Sequence, residues 1–389
     1  MKKILIIIVL AQFLCTSLWF AGNAILPELI QQLGVSNDFL AHSTSAIQLG
    51  FILGTLIYAL LAIADRFSPS LVFFISALLA AIFNLGVNLP GLTPALLLSV
   101  RFLTGFFLAG IYPIGIKIAA DYYQEGLGKS LGYLVGALVL GTAFPHFIKS
   151  FTLDLPWQYV AYATSLFSVI GGLLLYILVP DGPFRSKGTS FTLTTIFDAF
   201  ENKELTAAAI GYFGHMWELY AFWTFVPLMI QNYYKNHPEF NANFSLLSFY
   251  IIAIGSIACI LSGYFSKKVG TKKLSKIILT VSAICCLLSP LFLEIGSEIL
   301  FLTFLFFWSF AVIADSPLFS TLIAQEAPQD SKGSIITIVN SVGFLVTIVS
   351  IQLISYFVTA NNAVYLFMVL AVGPVIGLFY LNKKSIQHS

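Results

Sequence analysis

A histidine and a glutamate lie one helical turn apart in the seventh apolar stretch of the chain. Gly211, His215, Glu218 and Phe222 are separated by four, three and four residues, which places them on one face of a helix. A carboxyl group and an imidazole side by side can exchange protons near neutral pH. The pattern predicts that Glu218 carries a proton. His215 would either tune the protonation of Glu218 or form a hydrogen bond with a ligand. A structural His–Glu pair that locks the helix to a neighbour is the alternative.

Two more ionisable residues interrupt apolar segments. Arg101 begins Arg101-Phe-Leu-Thr-Gly105, roughly two turns from one end of its segment at ~1.5 Å per residue. We expect Arg101 to face a central cavity, as a ligand anchor or beside a carboxylate; snorkelling to the headgroups is the alternative. Asp315 precedes Ser316-Pro317, and the proline frees backbone carbonyls. Asp315 is therefore a candidate second proton or cation site, or a residue that only shapes its helix.

Polar and aromatic side chains form stripes on otherwise apolar segments. In the first segment, Gln12, Thr16, Trp19 and Asn23 recur at spacings of four, three and four. Such a stripe belongs in a helix-bundle interior, where it lines a binding site or supplies polar contacts between helices, each worth ~0.6 kcal/mol. The predicted residues for binding a small molecule are Arg101, Trp19, Asn23, Gln12, Gln48, Trp217, Tyr220 and Asn340.

The composition requires a lipid environment. The 389 residues are 58% hydrophobic and only 9% charged, whereas soluble domains carry roughly 25% charged residues. The net charge of +2 gives no indication of nucleic-acid binding. The four cysteines lie in apolar runs and match neither a disulfide framework nor a zinc site. There is no HExxH sequence and no nucleophile elbow, so we expect no enzyme activity, metal or cofactor.

Apolar stretches of about 20 residues, the length that crosses a bilayer, recur along the chain. The first follows Met1-Lys2-Lys3 and is long enough to be a retained helix rather than a signal peptide. Helices are expected because a membrane segment must satisfy its own backbone amides. The predicted spans are 4–26, 43–64, 70–88, 94–118, 128–149, 159–180, 205–230, 245–265, 274–293, 298–322, 332–357 and 361–382.

The distribution of basic residues predicts the orientation. With the N-terminus inside, fifteen of the nineteen Lys and Arg residues lie on the inner side and two on the outer side. The remaining two, Arg101 and Lys117, lie within the fourth span. The positive-inside rule therefore favours twelve spans with both termini cytoplasmic, in the plasma (inner) membrane of a cell.

A polar interval from Asp181 to Glu204 divides the chain at its middle, with six spans on each side. We expect an N-terminal six-helix bundle over 1–185, a cytoplasmic linker over 186–204 and a C-terminal six-helix bundle over 205–389. Part of the linker, TLTTIFDAFENKEL, has the pattern of an amphipathic surface helix.

Two loop sequences carry a resemblance to a known family. Gly263-Tyr-Phe-Ser-Lys267-Lys-Val-Gly270-Thr-Lys272-Lys273 resembles the loop signature Gly-x-x-x-Asp-Arg-x-Gly-x-Arg-Arg of the major facilitator superfamily, with Lys267 in the acidic place. Asp65-Arg66, 202 residues earlier, keeps only the Asp-Arg core. This spacing is about half the chain, as expected for an internal parallel repeat. In the family these loops latch the two halves, so Asp65, Arg66, Gly263, Lys267, Gly270 and Lys272 are candidate gating residues.

The resemblance implies an all-α membrane protein with about twelve transmembrane helices in two pseudo-symmetric six-helix bundles. It looks closest to the twelve-helix bacterial drug and metabolite type. Gly132, Gly141 and Pro145 partly match an exporter signature, although close helix packing also explains these glycines. The expected function is proton-coupled secondary active transport of a small organic solute by a monomer, with export favoured. A proton-symport importer of an organic anion and a non-transporting sensor are the alternatives.

Overall fold

The structure is a computed structural model, described over residues 2–123, 127–151, 155–185, 199–328, 332–358 and 363–383. Every regular element in these ranges is helical. Most of the linker predicted over 186–204, including the start of its amphipathic pattern, lies outside the described residues. The helices form an α-helical membrane fold in which apolar side chains such as Ile299 and Phe379 project outward. A bilayer would cover these side chains.

The first half of the chain forms six helical passes, α1 to α6. Within the described residues each pass is one helix or a helix broken by a short turn. The passes are α1 (Lys2–Thr16, Ala21–Ala24 and Leu26–Leu33), α2 (Phe39–Leu60), α3 (Pro69–Asn88), α4 (Pro94–Leu108 and Tyr112–Tyr122), α5 (Leu127–Phe151) and α6 (Gln158–Leu178).

The second half repeats this arrangement with passes α7 to α12. They are α7 (Lys203–Asn236), α8 (Phe244–Val269), α9 (Thr271–Leu293), α10 (Glu298–Ala314 and Ser316–Glu326), α11 (Lys332–Phe357) and α12 (Ala363–Leu366, Phe367–Ala371 and Val372–Asn382). Because Arg185 and Lys203 flank the linker, we call the face where these residues lie the linker face. The other end of the bundle is the opposite face.

Ten helices of the described chain are long and apolar enough to cross a membrane. The other two passes are α1, whose apolar part Lys3–Thr16 is short because the helix breaks, and α7. Each predicted span overlaps one of these passes, but α1, α4 and α10 are broken rather than continuous, and α1 continues beyond the predicted end at 26, to Leu33. The seventh pass also continues beyond the predicted end at 230, to Asn236.

The breaks in α4 and α10 occupy equivalent places in the two halves. In each helix a proline, Pro113 or Pro317, lies in the first turn of the second segment. Proline lacks the N–H that would bond back across the break, so a helix readily restarts there. The two prolines are 204 residues apart, close to the 202 residues between the loop motifs. The breaks therefore belong to the internal repeat.

The two halves meet along two helix pairs, α2 with α11 and α5 with α8. In the α5–α8 pair, a Cβ on Gly132 would lie 3.1 Å from the Cys259 carbonyl oxygen. Two hydrogen bonds join the halves near the opposite face: Gln352 donates to Ser45 Oγ at 2.8 Å, and Asn243 donates to the Ser150 carbonyl at 3.3 Å. The candidate site lies between these pairs.

Candidate functional site

Glu218 is buried inside the second half, with 1% of its surface exposed. The Ser282 hydroxyl on α9 lies 2.6 and 2.7 Å from the two carboxyl oxygens, and the Trp308 indole N–H on α10 donates at 2.7 Å. Both donors are neutral, and no cation pairs with this carboxyl group among the described residues. A carboxyl group held by neutral donors can take up and release a proton without breaking an ion pair.

His215, one turn away, faces a different partner. Its Nδ1 lies 2.8 Å from Oδ1 of Asp315, and both side chains are 1% exposed. Asp315 is the residue at which α10 breaks, immediately before the Ser316–Glu326 segment. The remaining imidazole nitrogen, Nε2, has no hydrogen-bond partner in the described structure. The predicted neighbours His215 and Glu218 therefore belong to two separate contacts, and the expected His–Glu pair is replaced by a His–Asp pair.

Arg101 is fully buried, and it does not snorkel to the surface. Its guanidinium group donates to the carbonyl oxygens of Leu18 at 3.3 Å and Trp19 at 2.6 Å, and to Asn84 Oδ1 at 3.4 Å. These carbonyls lie where α1 breaks, and a helix end leaves such groups without partners. Nε faces Gly22, where an added Cβ would lie only 2.8 Å away. Arg101 therefore caps the break in α1.

The predicted polar binding residues on α1 and α2 are buried and mostly unpartnered. Asn23 donates to Thr44 Oγ1 at 2.9 Å and so joins the two helices. Gln12 and Gln48 are fully buried, and both polar atoms of each carboxamide lack a hydrogen-bond partner in the described structure. Buried polar groups are usually satisfied. Each carboxamide therefore retains an unused donor and acceptor in the described structure.

Two of the predicted aromatic residues, Trp19 and Tyr220, meet where the halves join. The Trp19 ring lies 5.8 Å from the Tyr220 ring and 4.8 Å from Phe51. Trp217 does not join them, because its indole N–H donates to the Val369 carbonyl of α12 at 3.2 Å. Asn340 is half-buried on α11, one turn before Phe344, whose ring is 5.5 Å from Trp19.

The first loop motif is held within its own half. Asp65 forms an ion pair with Lys117 of α4 at 2.8 Å, and Arg185 donates to the Asp65 and Phe67 carbonyls at 3.2 and 2.7 Å. Arg66 is exposed. Ala62, beside the family's first glycine position, adopts a left-handed backbone conformation with φ of 49°. The loop thus keeps the left-handed backbone conformation typical of glycine, although Ala62, which has a Cβ atom, disfavours that conformation.

The second loop motif combines a tight turn with a helix contact. Gly270 has φ of 89°, a conformation that glycine accepts readily. Gly263 is buried against Gly132 of α5, across the interface between halves. Lys272 pairs with Glu204 at the start of α7, and Lys267 is exposed. Gly263 thus brings this motif into contact with the other half.

Several residues of the site carried no signal in the sequence. Ser282 and Trp308 hold Glu218, and Phe51 and Phe344 surround Trp19, yet serine and aromatic residues are common in membrane helices and nothing in their spacing sets these apart. The described residues contain no group of three or more His, Cys, Asp or Glu side chains arranged to hold a metal ion.

Two six-helix halves that enclose buried acidic, amide and aromatic groups define a two-bundle, all-helical membrane protein. The major facilitator superfamily model matches residues 8–351, which is most of the chain. The protein therefore belongs to the Major Facilitator Superfamily, whose members are transporters rather than enzymes. No curated protein matches the sequence.

Solved structures agree with this fold. The human organic anion transporter MFSD10 (TETRAN) is 15% identical, with a TM-score of 0.74 over 98% of this chain and 99% of that chain. A point mutant of the nucleoside transporter NupG is 16% identical, with a TM-score of 0.71 over 97% of this chain and 98% of that chain. At this identity the similarity establishes the fold alone.

Proposed function

We propose that the protein is a proton-coupled secondary transporter of a small organic solute that works as a monomer by alternating access. The observation that carries the coupling is the environment of Glu218, a buried carboxyl group held by Ser282 and Trp308 with no cationic partner among the described residues. Placing an ionisable group at this depth is costly, and such residues in membrane helices mark functional sites. The His215–Asp315 pair at the α10 break is the second titratable contact.

Alternating access requires two gates, and the contacts between the halves support their placement. Near the opposite face, Gln352 bonds to Ser45 and Asn243 bonds to Ser150. Near the linker face, Gly263 of the loop motif packs against Gly132. We assign the first pair of bonds to one gate and the α5–α8 contact with the loop motifs to the other. The basic linker face is the cytoplasmic side, with both termini there, in the plasma (inner) membrane.

The test is proton movement driven by solute. The purified protein is placed in liposomes that contain a pH-sensitive dye, and organic anions, nucleosides, organic cations and neutral amphiphiles are added in turn. We include anions and nucleosides because the proteins of similar fold carry those names. At least one solute should move protons, and Glu218→Gln should abolish that movement while Glu239→Gln, on an exposed segment, should not.

The outcomes separate the alternatives. Protons that move opposite to the solute indicate export, the direction that the partial Gly132–Pro145 signature favours, whereas protons that move with the solute indicate the importer. Solute movement with no proton movement would contradict proton coupling. Binding of a solute without any transport would identify the sensor and reject the transporter.

A further inference from the structure

Six aromatic rings meet where the two halves of the protein join. The Trp19 ring is 4.8 Å from Phe51 and 5.5 Å from Phe344, and the Phe20 ring is 6.3 Å from Trp223. These separations lie within the 4.5–7 Å at which aromatic rings attract one another. We call this group the six-ring cluster; its members are Trp19, Phe20, Phe51, Tyr220, Trp223 and Phe344.

The six-ring cluster draws equally on both halves. Phe51 on α2 and Phe344 on α11 are 4.7 Å apart, and Tyr220 on α7 is 5.1 Å from Phe344. When the halves move apart, ring faces from each half are uncovered together. A flat ring bound between them would replace the ring contacts that the protein makes in this closed arrangement.

Two indole N–H groups of the six-ring cluster have no acceptor among the described residues. Trp19 and Trp223 are 1% and 0% exposed, and neither Nε1 has a hydrogen-bond partner in the described structure. Buried tryptophan usually finds a partner for this group. By contrast, Trp217 and Trp308 both donate to acceptors. The two unused donors therefore indicate a ligand that brings acceptors.

An unpartnered carboxamide lies beside the rings. On α2, Thr44, Gln48 and Phe51 follow one another at intervals of one helical turn. Thr44 accepts from Asn23 of α1, and Phe51 contacts Trp19 of α1, so this face of α2 is turned toward α1. Gln48 lies between them, fully buried, with neither its amide nitrogen nor its oxygen bonded in the described structure. The site thus offers a matched donor and acceptor as well as the two indole donors.

Among the described residues, no cationic side chain lies over a ring of the six-ring cluster. Both terminal nitrogens of Arg101 are bonded to oxygens of Leu18, Trp19 and Asn84, and its Nε faces Gly22. Glu218 is turned away, toward α9 and α10. No carboxylate pairs with Arg101 among the described residues, but both of its terminal nitrogens are already bonded. An ionised ligand placed among the rings would therefore lose its hydration without a charged side chain in direct contact to replace it, which is costly.

We infer that the six-ring cluster binds an uncharged, planar heteroaromatic solute that both accepts and donates hydrogen bonds. Its ring would lie between the aromatic side chains of the two halves, its acceptors would face the Trp19 and Trp223 indoles, and its amide-like edge would face Gln48. This inference rests on the proposed transport function, since it names the class of solute carried at that interface.

Three small probes separate the contributions that an aromatic ring, a charge and an amide group make to binding. Nicotinamide is planar and uncharged, nicotinate has the same ring with a carboxylate, and cyclohexanecarboxamide has the same amide on a saturated ring. Binding is measured by isothermal calorimetry and thermal stabilisation of the purified protein. Nicotinamide should bind about tenfold more tightly than either other probe. Cyclohexanecarboxamide loses the ring stacking, and nicotinate must desolvate its carboxylate.

Variants place the binding on the six-ring cluster. Trp223→Phe keeps a ring but removes the donor, and Gln48→Leu removes the carboxamide; each should weaken nicotinamide binding about tenfold. Trp157→Phe, at the partly exposed start of α6, is the matched control and should leave binding unchanged. Melting temperatures without probe confirm that the variants are folded.

The outcomes are distinguishable from those of the proposed function. Absence of nicotinamide binding, equal binding of nicotinate, or binding unchanged by Trp223→Phe and Gln48→Leu would each overturn the inference. Proton coupling is tested by Glu218→Gln in liposomes. If the protein couples protons to an anion and does not bind nicotinamide, the proposed function stands and this solute class is rejected. If nicotinamide binds at the six-ring cluster but no protons move, the solute class stands and proton coupling is rejected.

Discussion

His215 of α7 and Asp315 at the break of α10 are in direct contact, with imidazole Nδ1 2.8 Å from carboxyl Oδ1 and both side chains 1% exposed. The contact joins a continuous helix to the point where another helix restarts. The contact therefore ties α7 to the place where α10 departs from a regular helix, immediately before the Ser316–Glu326 segment.

We predict a measurable coupling energy between His215 and Asp315. In a double-mutant cycle with His215→Ala and Asp315→Ala, the coupling in the free energy of unfolding should be about 1–3 kcal/mol, because buried contacting residues are not additive. The unfolding free energies are measured by denaturant titration in detergent. The exposed pair Lys272–Glu204 is the control, with coupling below about 1 kcal/mol. A His215–Asp315 coupling no larger than the control would show that the pair makes no energetic contact.

The donors around Glu218 predict different results for two substitutions. Glu218→Gln retains an acceptor for Ser282 and Trp308 and should lower the free energy of unfolding only slightly. Glu218→Leu leaves both donors buried without a partner, which should cost about 1–3 kcal/mol for each. Thermal denaturation of the purified variants provides the comparison.

A rescue experiment serves as the control for Glu218. Adding Ser282→Ala and Trp308→Phe to Glu218→Leu removes the two donors that have lost their acceptor, and should recover part of the lost stability. The reason is that a buried donor without an acceptor costs more free energy than replacing both partners by apolar groups. If the triple variant is less stable than Glu218→Leu alone, the hydrogen bonds are not the cause of the loss.

Arg101 should be required for the break in α1. Arg101→Lys keeps a positive charge but cannot reach the carbonyls of Leu18 and Trp19 and the amide of Asn84 together, so a loss of about 1–3 kcal/mol of stability is expected. Gly22→Ala should also destabilise, since its Cβ would lie 2.8 Å from Arg101 Nε. Melting temperatures measure both effects.

Gly333→Ala is the matched control for Gly22→Ala. It is also a helical glycine, but an added Cβ there meets no atom within 4 Å. It should therefore be neutral or stabilising, as alanine favours helix. Equal effects of the two substitutions would mean that the guanidinium does not lie against Gly22.

The first loop motif offers a stabilising substitution. Ala62 has φ of 49°, and a left-handed conformation costs an L-residue about 1–2 kcal/mol that glycine avoids. Ala62→Gly should raise the free energy of unfolding by about 1 kcal/mol. Ala64→Gly, in the following helical turn, should lower it by about 0.5–1 kcal/mol. A stability loss in Ala62→Gly would contradict the left-handed conformation.

Features that depend on composition and local spacing were predictable from the sequence. The apolar runs predicted the membrane class and the passes because a span needs a fixed length of apolar chain. The resemblance between the loop motifs, 202 residues apart, implied the fold that the family match confirms. The burial of His215, Glu218 and Asp315 was also expected, since each interrupts an apolar helix.

Only the tertiary structure decided which groups meet. Glu218 is bonded to residues 64 and 90 positions away, and His215 pairs with Asp315 instead of its helical neighbour. Trp217 turns toward α12, while Trp19 and Tyr220 join the six-ring cluster. Spacing fixes which residues share a helix face, but the rotation and tilt of each helix against its neighbours depend on packing across the whole bundle. The partners of a buried polar group are set by that packing, and no single segment of sequence contains it.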